Sequence, residues 1–512
     1  MHMPILNTII SWYLKKRESD IQRIISSPHE VQEEVFLKLI KTAKDTAWGK
    51  QYNYANIKTV EQFKREVPIG NYESHSPYID RIMKGEQNVL WPSEVKWFAK
   101  SSGTTAAKSK FIPVTYESLE ECHFQGGKDA MLMYLTNKPE SEMFEGKGLI
   151  VGGSHQLNQL YSESNSFYGD LSAVMMQNMP FWAHYFRTPD LSIAIMDNWD
   201  EKLEKMARAT LNENVTNISG VPTWTIMLIE KLFEITGKTN LKDIWPNIEL
   251  YIHGGVSFVP YKERFERMIR KENMHYLETY NASEGFLGIQ HRLNKSDMLL
   301  MLDYGIYYEF MPMEEYGKDH PKTYALHEVE PNVNYAIVMS SNAGLWRYII
   351  GDTIKFTSVN PYLFKISGRT KHYINAFGEE LIVENADTAL AIACNKCNAT
   401  VTDYTAAPVF FNDSNIGTHE WVIEFEEIPE NMLDFCAILD EQLKKVNSDY
   451  EAKRYNDIAI IKPLIHAAPA GTFHNWLKAK GKLGGQHKVP RLCNSREYID
   501  EILAQLKQTS TA

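Results

Sequence analysis

The chain has 512 residues, 44% of them hydrophobic and 12% aromatic, with a formal net charge of −11 at pH 7, so about two to four folding units are expected at roughly 100–200 residues each. The acidic balance argues against a nucleic-acid partner, which needs a basic face to neutralise phosphates, and no uncharged run reaches the ~18 residues of a membrane span. Five scattered cysteines and the lack of a basic leader with a cleavage site point to a reducing, cytoplasmic setting.

Residues 5–48 carry apolar side chains at helical spacing in IISWYL and VQEEVFLKLIKTA, and read as helices. From about 100 to 360, short β-branched or aromatic runs alternate with helical stretches. GLIVGGS (148–154), NVTNISGVP (214–222), IELYIHGGV (248–256) and MHYLETYNASEG (274–285) each read as a buried strand emptying into a Gly/Ser/Asn loop. That alternation predicts an α/β fold of sheets covered by helices, with ligands collecting at the strand ends. Residues 335–356 read as two strands joined through Ser341-Asn342-Ala343-Gly344. Beyond Ser367-Gly368-Arg369 the chain starts again, with strands in PVFF, EWVIEFEE and DIAIIKP and helices near 383–398 and 431–450. The expected domains are therefore 1–368 and a smaller α+β unit, 369–512. Cys394 and Cys397 form a C-x-x-C with no second pair and read as part of a helix.

Five motifs carry candidate chemistry. SSGTTAAKSK (101–110) is not a P-loop, which would need a glycine at position 108 and a lysine at 109. It is either a solvated turn or a phosphate cradle, in which Gly103 lets backbone N–H groups converge, Ser101, Ser102, Thr104 and Thr105 donate, and Lys110 screens charge. The second motif begins with His253-Gly254-Gly255-Val256, a turn or a place for a flat ring to approach backbone, and continues downstream. In Tyr280-Asn281-Ala282-Ser283-Glu284-Gly285 the ring is a core aromatic or a base-stacking one, and the carboxylate suits magnesium. In Arg347-Tyr348-Ile349-Ile350-Gly351-Asp352 the aspartate caps a turn or accepts both hydroxyls of a ribose. Gly368-Arg369 through Gly378-Glu379 lies at the domain boundary, and Gly484-Gly485-Gln486-His487-Lys488-Val489-Pro490-Arg491 is a basic glycine-rich loop.

In this order the five motifs resemble the adenylate-forming superfamily of acyl-CoA synthetases, firefly luciferase and peptide-synthetase adenylation domains. TAWGKQYNY, VPIGNYESHSPYIDRIMKGEQNVLWP, KWFAKSSGTTAAKSKFIPVT, YYEFMP, AGLWRYIIGD and GQHKVPRL are similar to the auxin-responsive acyl-acid amido synthetase (Gretchen Hagen) family over nearly the whole chain. The spacing from Ser101 to Lys110 also matches that family, whereas Ala107 stands where it often has glycine. The resemblance implies a ligase that adenylates a small carboxylic acid with ATP and magnesium and passes the acyl group to an amino acid, with coenzyme A as the alternative acceptor and a nucleotide-binding scaffold without catalysis as the third reading. It further implies that Ser101, Ser102, Gly103, Thr104, Thr105 and Lys110 hold the β- and γ-phosphates. Tyr280, Gly254 and Gly255 would flank adenine, Ser283 would lie near the α-phosphate and Glu284 would bind magnesium. Asp352 and Arg369 would hold the ribose. Lys488, with Lys478, Lys480 and Lys482 as rivals, would reach from a mobile C-terminal lid hinged at 370–372. The implied acyl-acid pocket between 120 and 230 supplies His155, Tyr161, Phe167, Tyr168, Met175, Met176, Phe181 and Trp182, for which a core role is an equal reading.

Overall fold

A computed structural model describes residues 4–101, 110–153, 158–159, 166–196, 198–255, 258, 261–270, 272–370, 373–379, 381–411, 416–457, 459–480 and 491–510. They fall into two compact units, one ending at Thr370 and the other formed chiefly by the chain beyond it. No helix among the described residues is long and apolar enough to cross a membrane.

The chain opens with helices Pro4–Lys15, Glu18–Ser26, Pro28–Ala43 and Ala47–Gln51, as the apolar spacing predicts. Pro28 occupies a first-turn position, where no backbone N–H is needed. Val31, Val35, Phe36, Leu39, Ile40 and Ala43 form the buried stripe of the third helix. Its one buried polar side chain, Gln32, donates to Leu302 O and Ile306 O and accepts from Tyr308 N–H, which ties the helix to the sheet beneath.

The strands of this first unit are, in chain order, β1 Trp97–Ser101, β2 Lys110–Val114, β3 Lys147–Val151, β4 Asn158–Gln159, β5 Phe167–Gly169, β6 Arg187–Thr188, β7 Val215–Gly220, β8 Leu250–His253, β9 His275–Ala282, β10 Gly285–Gln290, β11 Met298–Leu300, β12 Ile306–Pro312, β13 Asn334–Ser341, β14 Tyr348–Val359 and β15 Tyr362–Arg369. A four-stranded sheet runs β2-β1-β5-β4, and an eleven-stranded sheet runs β12-β13-β14-β15-β11-β10-β9-β8-β7-β3-β6. β9 divides the larger sheet. On one side β8, β7, β3 and β6 lie parallel, and on the other the strands from β10 to β12 are antiparallel. Helices Pro222–Thr236 and Lys262–Met268 make the crossovers between the parallel strands. The loop after β8 and the β9–β10 turn therefore leave from the same edge of the sheet, as expected of strand-end ligand sites.

In the second unit Tyr373–Ile374 (β16) pairs with Leu381–Ile382 (β17), and Thr400–Phe410 (β18), Gly417–Glu427 (β19) and Leu464–Ala468 (β20) form a three-stranded sheet. Helices Val383–Cys397 and Met432–Val446 supply its core, with Trp421, Phe435, Leu439 and Tyr450 fully buried. Cys394 and Cys397 are residues of that first helix. DIAIIKP departs from its expected strand: Gly417 and Ile460 make an isolated bridge, and the strand begins only at Leu464. One parallel rung forms, with Gly417 N–H donating to Ala459 O at 3.0 Å and Ile461 N–H to Gly417 O at 2.9 Å, but Pro463 has no N–H to carry the ladder on, and side chains take the neighbouring carbonyls. Arg454 donates to Ile460 O at 2.9 Å, and the Thr418 hydroxyl to Lys462 O at 2.8 Å.

Candidate active site

The site is built at the β8–β9–β10 edge. β8 ends at His253 and runs into Gly254, where a Cβ would fall 2.4 Å from Thr279 O on the neighbouring strand. The Thr279 hydroxyl donates to His253 O at 3.2 Å and closes the two strands at that point. Gly255 follows at φ +81°, a left-handed conformation that favours glycine. β9 then turns through Ser283 and Glu284 into β10, with Ala282 and Gly285 as register partners. Glu284 is only 8% exposed, so a carboxylate is held at the tip of a tight turn inside the protein.

Tyr280 and Asp352, 72 residues apart, meet directly: the Tyr280 hydroxyl donates to Asp352 Oδ2. Asp352 is 7% exposed. It follows Gly351, whose φ of +104° turns the strand and whose carbonyl accepts from Thr370 N–H at 2.7 Å. Arg369 is the register partner of Asp352 across the β14–β15 pair. One hydrogen bond and the strand register thus gather Tyr280, Ser283, Glu284, Asp352 and Arg369, and Gly254 and Gly255 end the strand next to β9.

Ser101 and Lys110 form the last pair of the β1–β2 hairpin, in the smaller sheet. Lys110 is 7% exposed. Ser102, Gly103, Thr104 and Thr105 lie outside the described residues, as do Ala107 and Lys488. Among the rival lysines, Lys480 is already engaged, donating to Glu501 at 2.7 Å and lying over the Trp476 ring.

Arg347, the arginine of the same motif as Asp352, is structural. Its guanidinium grips Glu309 through Nε (2.9 Å) and Nη2 (2.8 Å), and Nη1 donates to Lys64 O and Val67 O. The expected acyl-pocket residues divide. Phe167 and Tyr168 lie on β5 and Met176 is buried in its helix, whereas Phe181 is exposed and edge-on to Tyr185. His155 and Tyr161 lie outside the described residues.

Two titratable groups near the site belong to no motif. Burial pushes the Glu278 carboxyl up to about 7, against the pull of Lys365. Glu278 precedes Tyr280 by two on β9 and so leaves the same face. An acid inside an otherwise apolar strand run, MHYLETY, is the sequence signal that marks it. Burial also lowers His123 to about 4, offset in part by its hydrogen bond to Asn281, and no local pattern singles this histidine out.

Chemically, a buried carboxylate that already accepts a phenol suits further hydroxyl donors. An acidic turn offers hard oxygen to a divalent cation, and Gly255, where a Cβ would meet nothing nearer than Val221 at 3.6 Å, leaves room beside the backbone. These are the demands of a nucleoside triphosphate with its metal.

Three family descriptions match the chain in order: "GH3 family N-terminal domain" over residues 17–274, "GH3 family central domain" over 299–369 and "GH3 family C-terminal domain" over 384–497. The indole-3-acetic acid-amido synthetase GH3.4 of Arabidopsis thaliana is 23% identical, over 94% of this chain and 92% of its own length. The 4-substituted benzoates-glutamate ligase GH3.12 of the same plant is 22% identical, over 94% and 96%. The solved AtGH3.15 acyl acid amido synthetase in complex with 2,4-DB superposes with a TM-score of 0.62 at 18% identity, covering 96% of each chain.

Proposed function

The chain belongs to the GH3 family, and on that premise we propose that it is an ATP- and magnesium-dependent ligase that adenylates a small carboxylic acid and transfers the acyl group to the amine of an amino acid. The observation that carries this reading is the Tyr280–Asp352 hydrogen bond, which joins two distant motifs beside a glycine pair and an acidic turn. A location in the cytoplasm accompanies the reading, with five free cysteines.

In the first half-reaction a carboxylate oxygen of the acid attacks the α-phosphorus and pyrophosphate leaves. In the second, the amine attacks the acyl carbon, AMP departs with the bonding pair, and the nitrogen loses a proton. Two anions must be brought together first, and orientation alone is worth on the order of 7–11 kcal/mol. We assign the β- and γ-phosphates to Ser101, Ser102, Gly103, Thr104, Thr105 and Lys110, and the adenine to Tyr280, Gly254 and Gly255. Ser283 serves the α-phosphate. Asp352 and Arg369 hold the ribose, and Glu284 holds magnesium by a carboxylate oxygen. Magnesium, when bound, neutralises phosphate charge. Lys488 stabilises charge on the reacting carboxylate and α-phosphate. Residues 1–368 form the binding domain and 369–512 a mobile lid, with 370–372 as its hinge.

The test is product analysis with indole-3-acetate, 4-hydroxybenzoate, jasmonate and octanoate, each supplied with ATP, magnesium, coenzyme A and the protein amino acids. An amide of one acid is the expected product. A thioester formed with coenzyme A, and no amide, would overturn the choice of acceptor.

A further inference from the structure

The β9–β10 turn that carries Ser283 and Glu284 is gripped at its base by a feature that no motif announced. Asn281 on β9 and Phe286 on β10 are register partners that flank the turn. Each is bonded by one of two consecutive residues on a single turn of π-helix, Ser118–His123. His123 Nδ1 lies 2.9 Å from Asn281 Oδ1, and the Phe286 N–H donates to Cys122 Sγ at 3.1 Å. The Phe286 ring also fills the space that a side chain at Gly126 would take, since a Cβ there would fall 2.4 Å from it.

The protonation of His123 follows from its surroundings. It is 1% exposed, and burial keeps the ring neutral at neutral pH, so it carries one N–H. The partner atom is an amide oxygen, which only accepts, so the proton is on Nδ1. The Asn281 amide nitrogen points the other way, 4.0 Å from Met175 Sδ. Consecutive residues of an extended strand leave opposite faces. Tyr280 is therefore held by Asp352 on one face of β9 and Asn281 by His123 on the other. A π-turn interrupts regular helical hydrogen bonding and is often kept where it aims a side chain at a functional site.

We infer that His123 is a positioning residue for the adenylation step: through Asn281 it fixes the strand end from which Ser283 and Glu284 project. This rests on the function proposed above and adds to it a side chain that touches neither substrate.

Pyrophosphate exchange with the acids named above, at varied magnesium, tests it. His123→Leu keeps the volume but removes the donor, and is expected to lower kcat by about tenfold to a hundredfold and to raise the magnesium concentration at half-maximal rate. The KM for the acid stays near the wild-type value. His123→Asn returns an N–H close to the Nδ1 position and restores most of the rate. A purely structural histidine would lower the melting temperature without moving the magnesium dependence. A His123→Leu protein that melts with the wild type and keeps its rate and magnesium dependence overturns the inference. If that variant does not fold, Asn281→Leu removes the acceptor instead: the same loss supports the clamp, and a wild-type rate overturns it. Wild-type protein that exchanges with no acid strikes the proposed function itself, and this inference with it.

Discussion

Arg347 and Asp352 stand in one short motif and do unrelated work. Arg347 is a buried guanidinium whose charge is met by Glu309 and whose remaining donors go to Thr323 and to the carbonyls of residues 64 and 67. Removing one partner of such a pair strands the other charge in the interior, so Arg347→Ala is expected to cost about 3–5 kcal/mol of stability; chemical denaturation reads this directly, and a loss below ~1 kcal/mol would contradict it. The arginine was visible in the sequence but its role was not, because Glu309 and residues 64–67 are distant along the chain. Glu278 makes a second prediction. Its folded-state carboxyl sits near 7, above the unfolded value, so the native state binds the extra proton between those two values and stability falls as pH rises through that window. Glu278→Gln should remove this slope, leaving the variant on the order of 1–3 kcal/mol less pH-sensitive between pH 5 and 8. Parallel denaturation curves for the two proteins across that range would show that Glu278 is not the group responsible.

At the scale of elements, the strand-then-loop reading of β3, β7, β8 and β9 was legible because each is a short apolar run stopped by Gly, Ser or Asn, a pattern set by local backbone preferences. What stayed hidden depends on pairing between distant segments. DIAIIKP has strand composition, but it makes only one backbone rung with Gly417 before Pro463, which has no N–H to donate, ends the ladder. The π-turn at Ser118–His123 likewise has no composition signal, since its purpose lies in the hairpin it holds. The glycine pair after β8 reads in the sequence as a turn or a place for a flat ring, whereas the structure sets Thr279 O of the neighbouring strand against Gly254. Gly254→Ala would put a methyl against that carbonyl, which cannot yield as a flexible side chain does. The expected result is about 1–3 kcal/mol of lost stability with a raised KM for ATP as β8 and β9 part. Unchanged melting and unchanged KM would mean that the strand ends are free to adjust.

For the whole molecule, the net charge of −11 makes local cations decisive wherever two anionic substrates must meet. Lys110 and Lys488 are the two that the proposed mechanism sets against the reacting phosphates and carboxylate. Lys488→Ala is expected to lower the exchange rate by about 10²–10³ while ATP affinity changes little; a wild-type rate would transfer the role to Lys478 or Lys482, since Lys480 is engaged with Glu501. The order of the motifs along the chain was legible, and so was the family, because that order needs no three-dimensional knowledge. The meeting of Tyr280 with Asp352 was not, because only folding brings β9 and β14 within hydrogen-bond reach. The most direct measurement of the central claim is acid-dependent exchange of labelled pyrophosphate into ATP, run on the wild type and on Asp352→Ala. The account predicts exchange that requires both magnesium and one acid of the panel, with a KM for ATP raised about tenfold to a hundredfold in the variant. Normal ATP binding with no exchange for any acid would contradict it.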